Sequence, residues 1–354
     1  MAKKRHILIS ILVAALLFCS CSPKKSSEGE KDEENKKGYL VYINADTPDK
    51  NSLYNVDISD KKAEKIYEKN VLGAAGNEGK IAFVIKESGK EEIDMMNADG
   101  KDKKRITKDL SLKNQYLSWS TDKKWIAFPS KQSEDKFYNI YYIEAGKDKT
   151  YTRITDDVYD CESPLFTKEG NAILFSAGIN GKHDIYSFNI QSKKITKLTN
   201  NNGDNLSPAI SPDGMKLLYL SDQNSKGRYN IYMSNIDGTN PIEMTKDQSI
   251  AKDSVKVSPD NSMISFITVG KNGNRSINII DMNKASIFIS NGGYISTWSK
   301  DSKKLYYASF DNQYRKIIEY NIEDKTSDIV LKIQFKPGEE NTGIKFLHYT
   351  DKLK

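Results

Sequence analysis

Six side chains of the sequence are candidates for ligand binding. Carboxylate, amide and phenol groups can orient a ligand, and aromatic rings supply apolar contact area. The carboxylates of Asp160 and Glu162 could also perform acid–base chemistry on a glycosidic bond if they faced one cleft. The alternative is that these are ordinary solvated loop residues. The candidates are Tyr116, Tyr159, Asp160, Glu162, Asn205 and Tyr294.

Other chemical motifs are scarce. The three histidines, at positions 6, 183 and 348, are too few and too widely separated to predict a metal site. We predict that His183 lies in a solvated turn. Residues 97–102 and 235–240 lack the alternating oxygen ligands and the terminal Glu of a calcium loop, so we predict hairpin turns there. We expect no cofactor, and the absence of Gly-x-Ser-x-Gly argues against a serine peptidase.

The N-terminus has the order of features of an export signal. Lys3 and Lys4 precede an apolar run at residues 7–18, and Ser20 precedes Cys21. This order predicts a signal peptide at residues 1–20. Residues 17–21 resemble the lipobox of bacterial lipoproteins, although Phe18 stands where that family usually has Leu. The resemblance implies that Cys21 carries the lipid, palmitate included; an ordinary secretory signal is the alternative.

Residues 22–37 contain no large apolar side chain, so we predict a lipidated cysteine followed by a disordered tether at residues 21–37. The formal net charge of +6 includes the three positive charges of residues 3–5. The mature chain is therefore nearly neutral for its size, which argues against a nucleic-acid partner. Cys161 would be the only thiol left, and we predict that it is packed rather than cross-linked.

The framework that positions the candidate residues is a sequence repeat. An acidic residue followed by a turn position recurs at intervals of 41 to 47 residues. Gly38 lies 41 residues before Gly79, the first of these turn positions, and is a degenerate member of the same series. A repeat of this length predicts seven structural units. The turn positions are Gly79, Lys123, Gly170, Gly214, Asn261 and Ser302.

Each unit contains four short strand patterns. Segments such as residues 172–176 and 216–220 are apolar on both faces, which is typical of buried strands. Units of this kind predict an all-β β-propeller of about seven four-stranded antiparallel blades over residues 38–354, with six blades as the alternative. No inner strand precedes Tyr39, so we predict that residues 344–349 supply it and close the ring.

The unit resembles the TolB-like, WD-related propeller repeat. Its Ser-Pro-Asp-Gly hallmark is complete at residues 211–214 and nearly so at residues 258–261, and Trp-Ser forms occur at Trp119 and Trp298. The resemblance covers residues 38 to about 350. It implies the propeller fold and a role as an interaction platform in envelope complexes. Related propeller lyases depend on a His-rich metal site, a pattern that this sequence lacks.

Together these features predict a lipid-anchored, exported, extracytoplasmic propeller at the bacterial cell membrane or outer membrane. We expect a non-enzymatic monomer that binds an envelope protein, peptide or glycan through the face carrying the fourth-to-first and second-to-third strand loops. Two alternatives remain open. One is a hydrolase or lyase acting on a polysaccharide, and the other is a purely structural envelope lipoprotein.

Overall fold

A computed structural model describes residues 38–47, 50–108, 110–112, 116–147, 150–246, 249–282, 286–334 and 344–353. The predicted signal peptide, the tether and Cys21 lie outside these residues. Every regular element in the described ranges is a β-strand. No helix among these residues is long and apolar enough to cross a membrane.

The strands follow one another without interruption by other elements. In chain order they are β1 (Tyr39–Thr47), β2 (Lys50–Asp57), β3 (Lys62–Tyr67), β4 (Val71–Asn77), β5 (Lys80–Glu87), β6 (Lys90–Asn97), β7 (Lys104–Arg105), β8 (Ser118–Trp119), β9 (Trp125–Ser130), β10 (Asn139–Glu144), β11 (Tyr151–Arg153), β12 (Asp160–Phe166), β13 (Ala172–Ile179), β14 (Lys182–Asn189), β15 (Ile195–Lys197), β16 (Asn205–Ile210), β17 (Lys216–Ser221), β18 (Asn230–Asn235), β19 (Ile242–Glu243), β20 (Lys256–Val257), β21 (Met263–Val269), β22 (Arg275–Asp281), β23 (Ser286–Asn291), β24 (Gly293–Trp298), β25 (Lys304–Phe310), β26 (Tyr314–Asn321), β27 (Ser327–Gln334) and β28 (Ile344–Thr350).

These strands form seven four-stranded antiparallel sheets, the blades of a β-propeller. Blade 1 has the strand order β28-β1-β2-β3, and blades 2 to 7 are β4–β7, β8–β11, β12–β15, β16–β19, β20–β23 and β24–β27. The inner strands β4, β8, β12, β16, β20, β24 and β28 each contact the inner strands of both neighbouring blades. The ring is therefore closed around a central channel. The prediction of seven blades is confirmed, and the six-blade alternative is wrong.

The C-terminal strand closes the ring as predicted. β28 pairs antiparallel with β1, with Tyr39 opposite Thr350 and Ile43 opposite Phe346. Tyr294 in blade 7 accepts a hydrogen bond from the Ile344 amide at 2.9 Å, which fixes the start of β28 beside the last blade. The two ends of the chain thus meet in one sheet, and β1 keeps no unpaired inner edge.

The turn between the first and second strand of each blade explains the repeat in the sequence. All six aligned turn positions have positive φ, from 61° at Lys123 to 82° at Gly214. The preceding aspartate accepts hydrogen bonds from the turn, as Asp213 does from the Ser211 hydroxyl at 2.5 Å and the Met215 amide at 2.9 Å. Gly38 is different because it lies directly before β1, where the junction of β28 and β1 replaces this turn.

The hydrophobic core lies between adjacent blades. The second strands are buried on both faces: in β5, Ile81, Phe83 and Ile85 on one face and Ala82 and Val84 on the other have no exposed surface. The two Trp-Ser units use their indole groups to join neighbours: Trp119 Nε1 donates to the Ala75 carbonyl at 3.0 Å. Cys161 is buried and forms no disulfide among the described residues, which confirms that it is packed rather than cross-linked.

Candidate binding face

The candidate binding residues lie near the starts of inner strands. Asp160 and Asn205 are the first residues of β12 and β16, and Tyr294 is the second residue of β24. Tyr116 lies two residues before β8. Because the inner strands run in the same direction through the ring, these residues lie toward one face, which we call the loop face. It carries the fourth-to-first and second-to-third strand connections.

A hydrogen-bonded cluster at the loop face joins residues from several blades. The Tyr116 hydroxyl donates to one carboxylate oxygen of Asp253, and the Ser163 hydroxyl donates to the other at 3.2 Å. The Asp253 amide donates to the Ser207 hydroxyl at 3.2 Å. These contacts connect the segments entering blades 3 and 6 with β12 and β16. We call Tyr116, Glu162, Ser163, Ser207 and Asp253 the channel-mouth cluster.

Two β-bulges position the serines of this cluster. The register of β12 shifts between Glu162 and Leu165, and that of β16 shifts between Leu206 and Ala209. Ser163 and Ser207 have φ values of 53° and 52° within these bulges. Bulges are a common way to redirect a side chain at a functional edge of a sheet. The sequence signal is a Ser-Pro dipeptide at the same place in two consecutive repeats.

The channel-mouth cluster is acidic. Burial, together with the nearby Asp253 and Glu162 carboxylates, raises the pKa of the Tyr116 hydroxyl above its usual value. Glu162 is only 9% exposed, and its negative charge also contributes to the raised pKa of Tyr229, which burial and Asp204 dominate. Tyr116 therefore stays protonated at neutral pH and acts as a hydrogen-bond donor.

A second polar cluster lies beside it on blades 4 and 5. Asp204 Oδ1 is 2.8 Å from both the backbone nitrogen and Nδ1 of His183, and the Tyr229 hydroxyl donates to Oδ2 at 2.5 Å. Burial alone would raise the pKa of Asp204, but these hydrogen bonds outweigh burial and lower it. The prediction of a solvated turn for His183 is wrong: it lies in β14, and its side chain is 14% exposed.

The other candidates are not brought into the channel-mouth cluster. Asn205 has no exposed surface, and its side-chain amide donates to Asp184 at 3.1 Å, which joins blades 4 and 5. Asp160 accepts a hydrogen bond from the Tyr138 amide at 3.2 Å. The Tyr294 ring packs 5.5 Å from that of Phe310. Asn205 and Tyr294 therefore serve the framework in this structure.

Tyr159 lines a separate apolar pocket on blade 4. Its ring stacks on Tyr186 with the centroids 6.4 Å apart, and the pocket volume is about 240 Å³. Val158 and Ile195 at its edge are 48% and 41% exposed. The pocket therefore presents an apolar surface toward the outer part of blade 4, since Tyr186 lies in β14 and Ile195 in β15.

No metal centre emerges from the described residues, in which no three His, Cys, Asp or Glu side chains form a group able to hold an ion. The two calcium-like stretches are turns, as predicted. Gly100 and Gly238 have φ values of 83° and 85° and donate their amides to the carbonyls of Asn97 and Asn235 at 2.9 Å.

The fold and the polar channel mouth define the class of protein: a seven-bladed β-propeller built from repeated Ser-Pro-Asp-Gly-type turns. The sequence model of the TolB beta propeller domain family matches residues 81–294, more than half of the chain. The chain belongs to this family.

Individual relatives are more distant. The Tol-Pal system protein TolB of Francisella tularensis subsp. tularensis (strain WY96-3418) is 31% identical over 74 residues, which are 21% of this chain and only 17% of that protein. TolB from Acinetobacter baumannii has a TM-score of 0.56 at 19% identity and covers 86% of this chain and 82% of its own. An oligogalacturonate lyase in complex with manganese has a TM-score of 0.62 at 11% identity, covering 73% and 79%. At these low sequence identities, the structural comparisons show only that the proteins share a fold.

Proposed function

We propose that this chain is a non-catalytic binding module of the cell envelope whose loop face binds a protein or peptide partner. The channel-mouth cluster carries this proposal, because it places a tyrosine, two serines and two carboxylates from different blades at one opening. A rigid ring that presents such a cluster needs little ordering on binding.

The charge of the cluster indicates the kind of partner. Glu162 and Asp253 both act on Tyr116, and Asp204 and Asp222 lie in the adjoining cluster. A segment carrying Lys or Arg would complement these carboxylates. The apolar pocket beside Tyr159 would contact a hydrophobic side chain of the same segment.

The arrangement of the carboxylates favours binding over polysaccharide cleavage. A glycosidase needs two carboxyl groups on either side of the scissile bond. Asp160, one member of the candidate pair, instead accepts a hydrogen bond from the Tyr138 amide in the framework of blade 3.

We further propose that the mature chain begins at a lipidated Cys21 and is tethered by residues 22–37 on the extracytoplasmic side of a bacterial membrane. The order of basic, apolar and small residues before Cys21 supports this. Mass spectrometry of the mature protein should find an acylated N-terminal cysteine. An unmodified N-terminus beyond Cys21 would contradict the proposed anchor.

Recovery of partners from detergent-solubilised envelope tests the binding function. Wild type should capture a specific protein or peptide, and the Glu162→Gln and Asp253→Asn variants should capture much less of it. Glu323→Gln is the matched control, because Glu323 is exposed in the turn after β26, outside the cluster. Equal capture by all four proteins, or none above background for wild type, would overturn the proposal.

A further inference from the structure

The opposite mouth of the channel contains a cavity that the proposed binding function does not use. It lies on the face that carries the first-to-second strand turns, and its volume is about 320 Å³. Trp298 and Tyr349 form the aromatic part of the cavity wall, whereas Lys256 and His348 are its polar side chains. A volume of this order accommodates a small organic ligand or the end of a peptide.

Lys256 brings a positive charge into this cavity without a matching carboxylate. Among the described residues, no Asp or Glu oxygen lies within 4.0 Å of its ammonium group. Its side chain reaches the water of the channel, yet the surrounding protein wall desolvates the ammonium and lowers its pKa, although Asp253 opposes that shift. A cation in such surroundings is stabilised by a bound counter-ion.

The backbone of Lys256 is held in place. Its carbonyl accepts a hydrogen bond from Trp298 Nε1 at 3.2 Å, and the Ser265 hydroxyl lies 3.5 Å from the same oxygen. The Trp298 contact joins blades 6 and 7 at the cavity, and the Ser265 contact lies within blade 6. The ammonium therefore projects from a rigid strand, which is the arrangement that a preorganised site requires.

His348 adds an unused polar atom from blade 1. Its buried Nε2 has no hydrogen-bond partner among the described residues, and buried polar atoms in native proteins are normally paired. The ring occupies space left by a glycine, because a Cβ at Gly76 would lie 2.2 Å from His348 Cδ2. Burial, helped by the charge of Lys256, lowers the pKa of His348 to about 4. The imidazole is therefore neutral at pH 7, and its ring forms part of the cavity wall beside Gly76.

We propose that this cavity binds a carboxylate group, with Lys256 as its ion-pair partner and with Trp298, Tyr349 and the His348 ring in contact with the apolar part of the ligand. Lys300 also lines the cavity, but it is paired with Asp351 at 3.0 Å, so Lys256 is the cation left for a singly charged group. Glu78 and Asp351 at the rim disfavour a more highly charged anion such as a phosphate.

Two sources could supply this carboxylate: a small apolar carboxylic acid or the C-terminus of a peptide. Isothermal titration calorimetry with defined probes separates them. The probes are 3-phenylpropionate, its amide, and a hexapeptide ending in Phe with either a free or an amidated C-terminus. Binding of the small acid alone identifies the first source, and binding of the free-acid peptide identifies the second. In either case the amide should bind at least about tenfold more weakly.

Variants assign the binding to the cavity. Lys256→Met should weaken the binding of the carboxylate probe by about tenfold or more. Lys303→Met is the control, since Lys303 is exposed in the turn after β24 and does not line the cavity. Thermal unfolding verifies that each variant is folded. If Lys256→Met does not fold, Lys256→Gln replaces it.

The proposal is overturned if no carboxylate probe binds up to about 10 mM, if amides bind as tightly as acids, or if Lys256→Met leaves the affinity unchanged. The cavity lies on the face opposite the channel-mouth cluster. Asp253 acts on the pKa of Lys256, so Glu162→Gln is the variant that separates envelope capture from carboxylate binding here.

Discussion

At the scale of single residues, a buried threonine recurs at the end of four blades. Thr199 is representative: its hydroxyl accepts a hydrogen bond from the Ile185 amide at 3.0 Å and donates to Asp184 at 2.8 Å. Each such hydroxyl satisfies an amide of the third strand that has no other strand partner there. The equivalent pairs are Thr107 with Ile93, Thr155 with Ile140, and Thr245 with Ile231.

Thr199→Val tests the energetic weight of this contact. Valine keeps the shape of threonine but leaves the Ile185 amide unsatisfied, so we expect a loss of about 1–3 kcal/mol in the free energy of unfolding. Thr196→Val, at an exposed position of β15, should change it by less than about 0.5 kcal/mol. Urea denaturation measures both. Equal effects would show that the buried hydroxyl has no special role.

The Asp213 turn predicts a specific dependence on pH. Hydrogen bonds from the Ser211 hydroxyl and the Met215 amide lower the pKa of Asp213 below its usual value of 3.8. The ionised group therefore stabilises the folded state above pH 3.8, and this stabilisation is lost as the pH falls through the lower folded-state pKa. In the Asp213→Asn variant, the free energy of unfolding should therefore fall less between neutral and acidic pH than it does in the wild type. A difference that stays unchanged would contradict this assignment.

At the scale of elements, tight turns set how closely blades approach. Gly238, in the turn after β18, has a φ of 85°, and a Cβ there would lie 2.1 Å from the Leu198 carbonyl oxygen of blade 4. Gly181, in the turn before β14, has a φ of 74°, and a Cβ added there would have no atom within 4 Å. The two glycines therefore share a backbone constraint but differ in packing.

Gly238→Ala and Gly181→Ala form a matched pair that separates these two effects. Positive φ alone should cost Gly181→Ala about 1 kcal/mol, whereas Gly238→Ala should lose about 1–3 kcal/mol more because blades 4 and 5 must move apart. Denaturant midpoints with unchanged m-values measure the difference. If the two variants were equally stable, the contact with Leu198 would carry no weight.

Sequence reasoning succeeded where the information is local. The spacing of the acidic turns sufficed to predict seven blades, and the missing strand before Tyr39, a local feature of the first repeat, sufficed to predict closure by β28. Sequence reasoning failed where a side chain contacts a residue of a different blade. His183 bonds to Asp204 on the next blade, and Asp253, absent from the predicted site, meets Tyr116 only after the ring has curved.

At the scale of the whole molecule, stability depends on joining the two ends of the chain. β28 is the inner strand of blade 1, and Ile344 and Leu347 are 1% and 6% exposed within the cluster that joins blades 7 and 1. Without β28, β1 would present an unpaired edge and blade 7 would lose its neighbour. Closure therefore couples the first blade to the last.

Deleting residues 343–354 should abolish the single cooperative unfolding transition, because the ring would open between blades 7 and 1. Tyr294→Phe is the graded control. It removes only the hydroxyl that accepts the Ile344 amide, so we expect a loss of about 1 kcal/mol with cooperativity retained. Differential scanning calorimetry distinguishes the two outcomes, since the deletion should broaden or split the transition. If the deleted chain melted at the wild-type temperature with the same enthalpy, the C-terminal strand would not be what holds the ring closed.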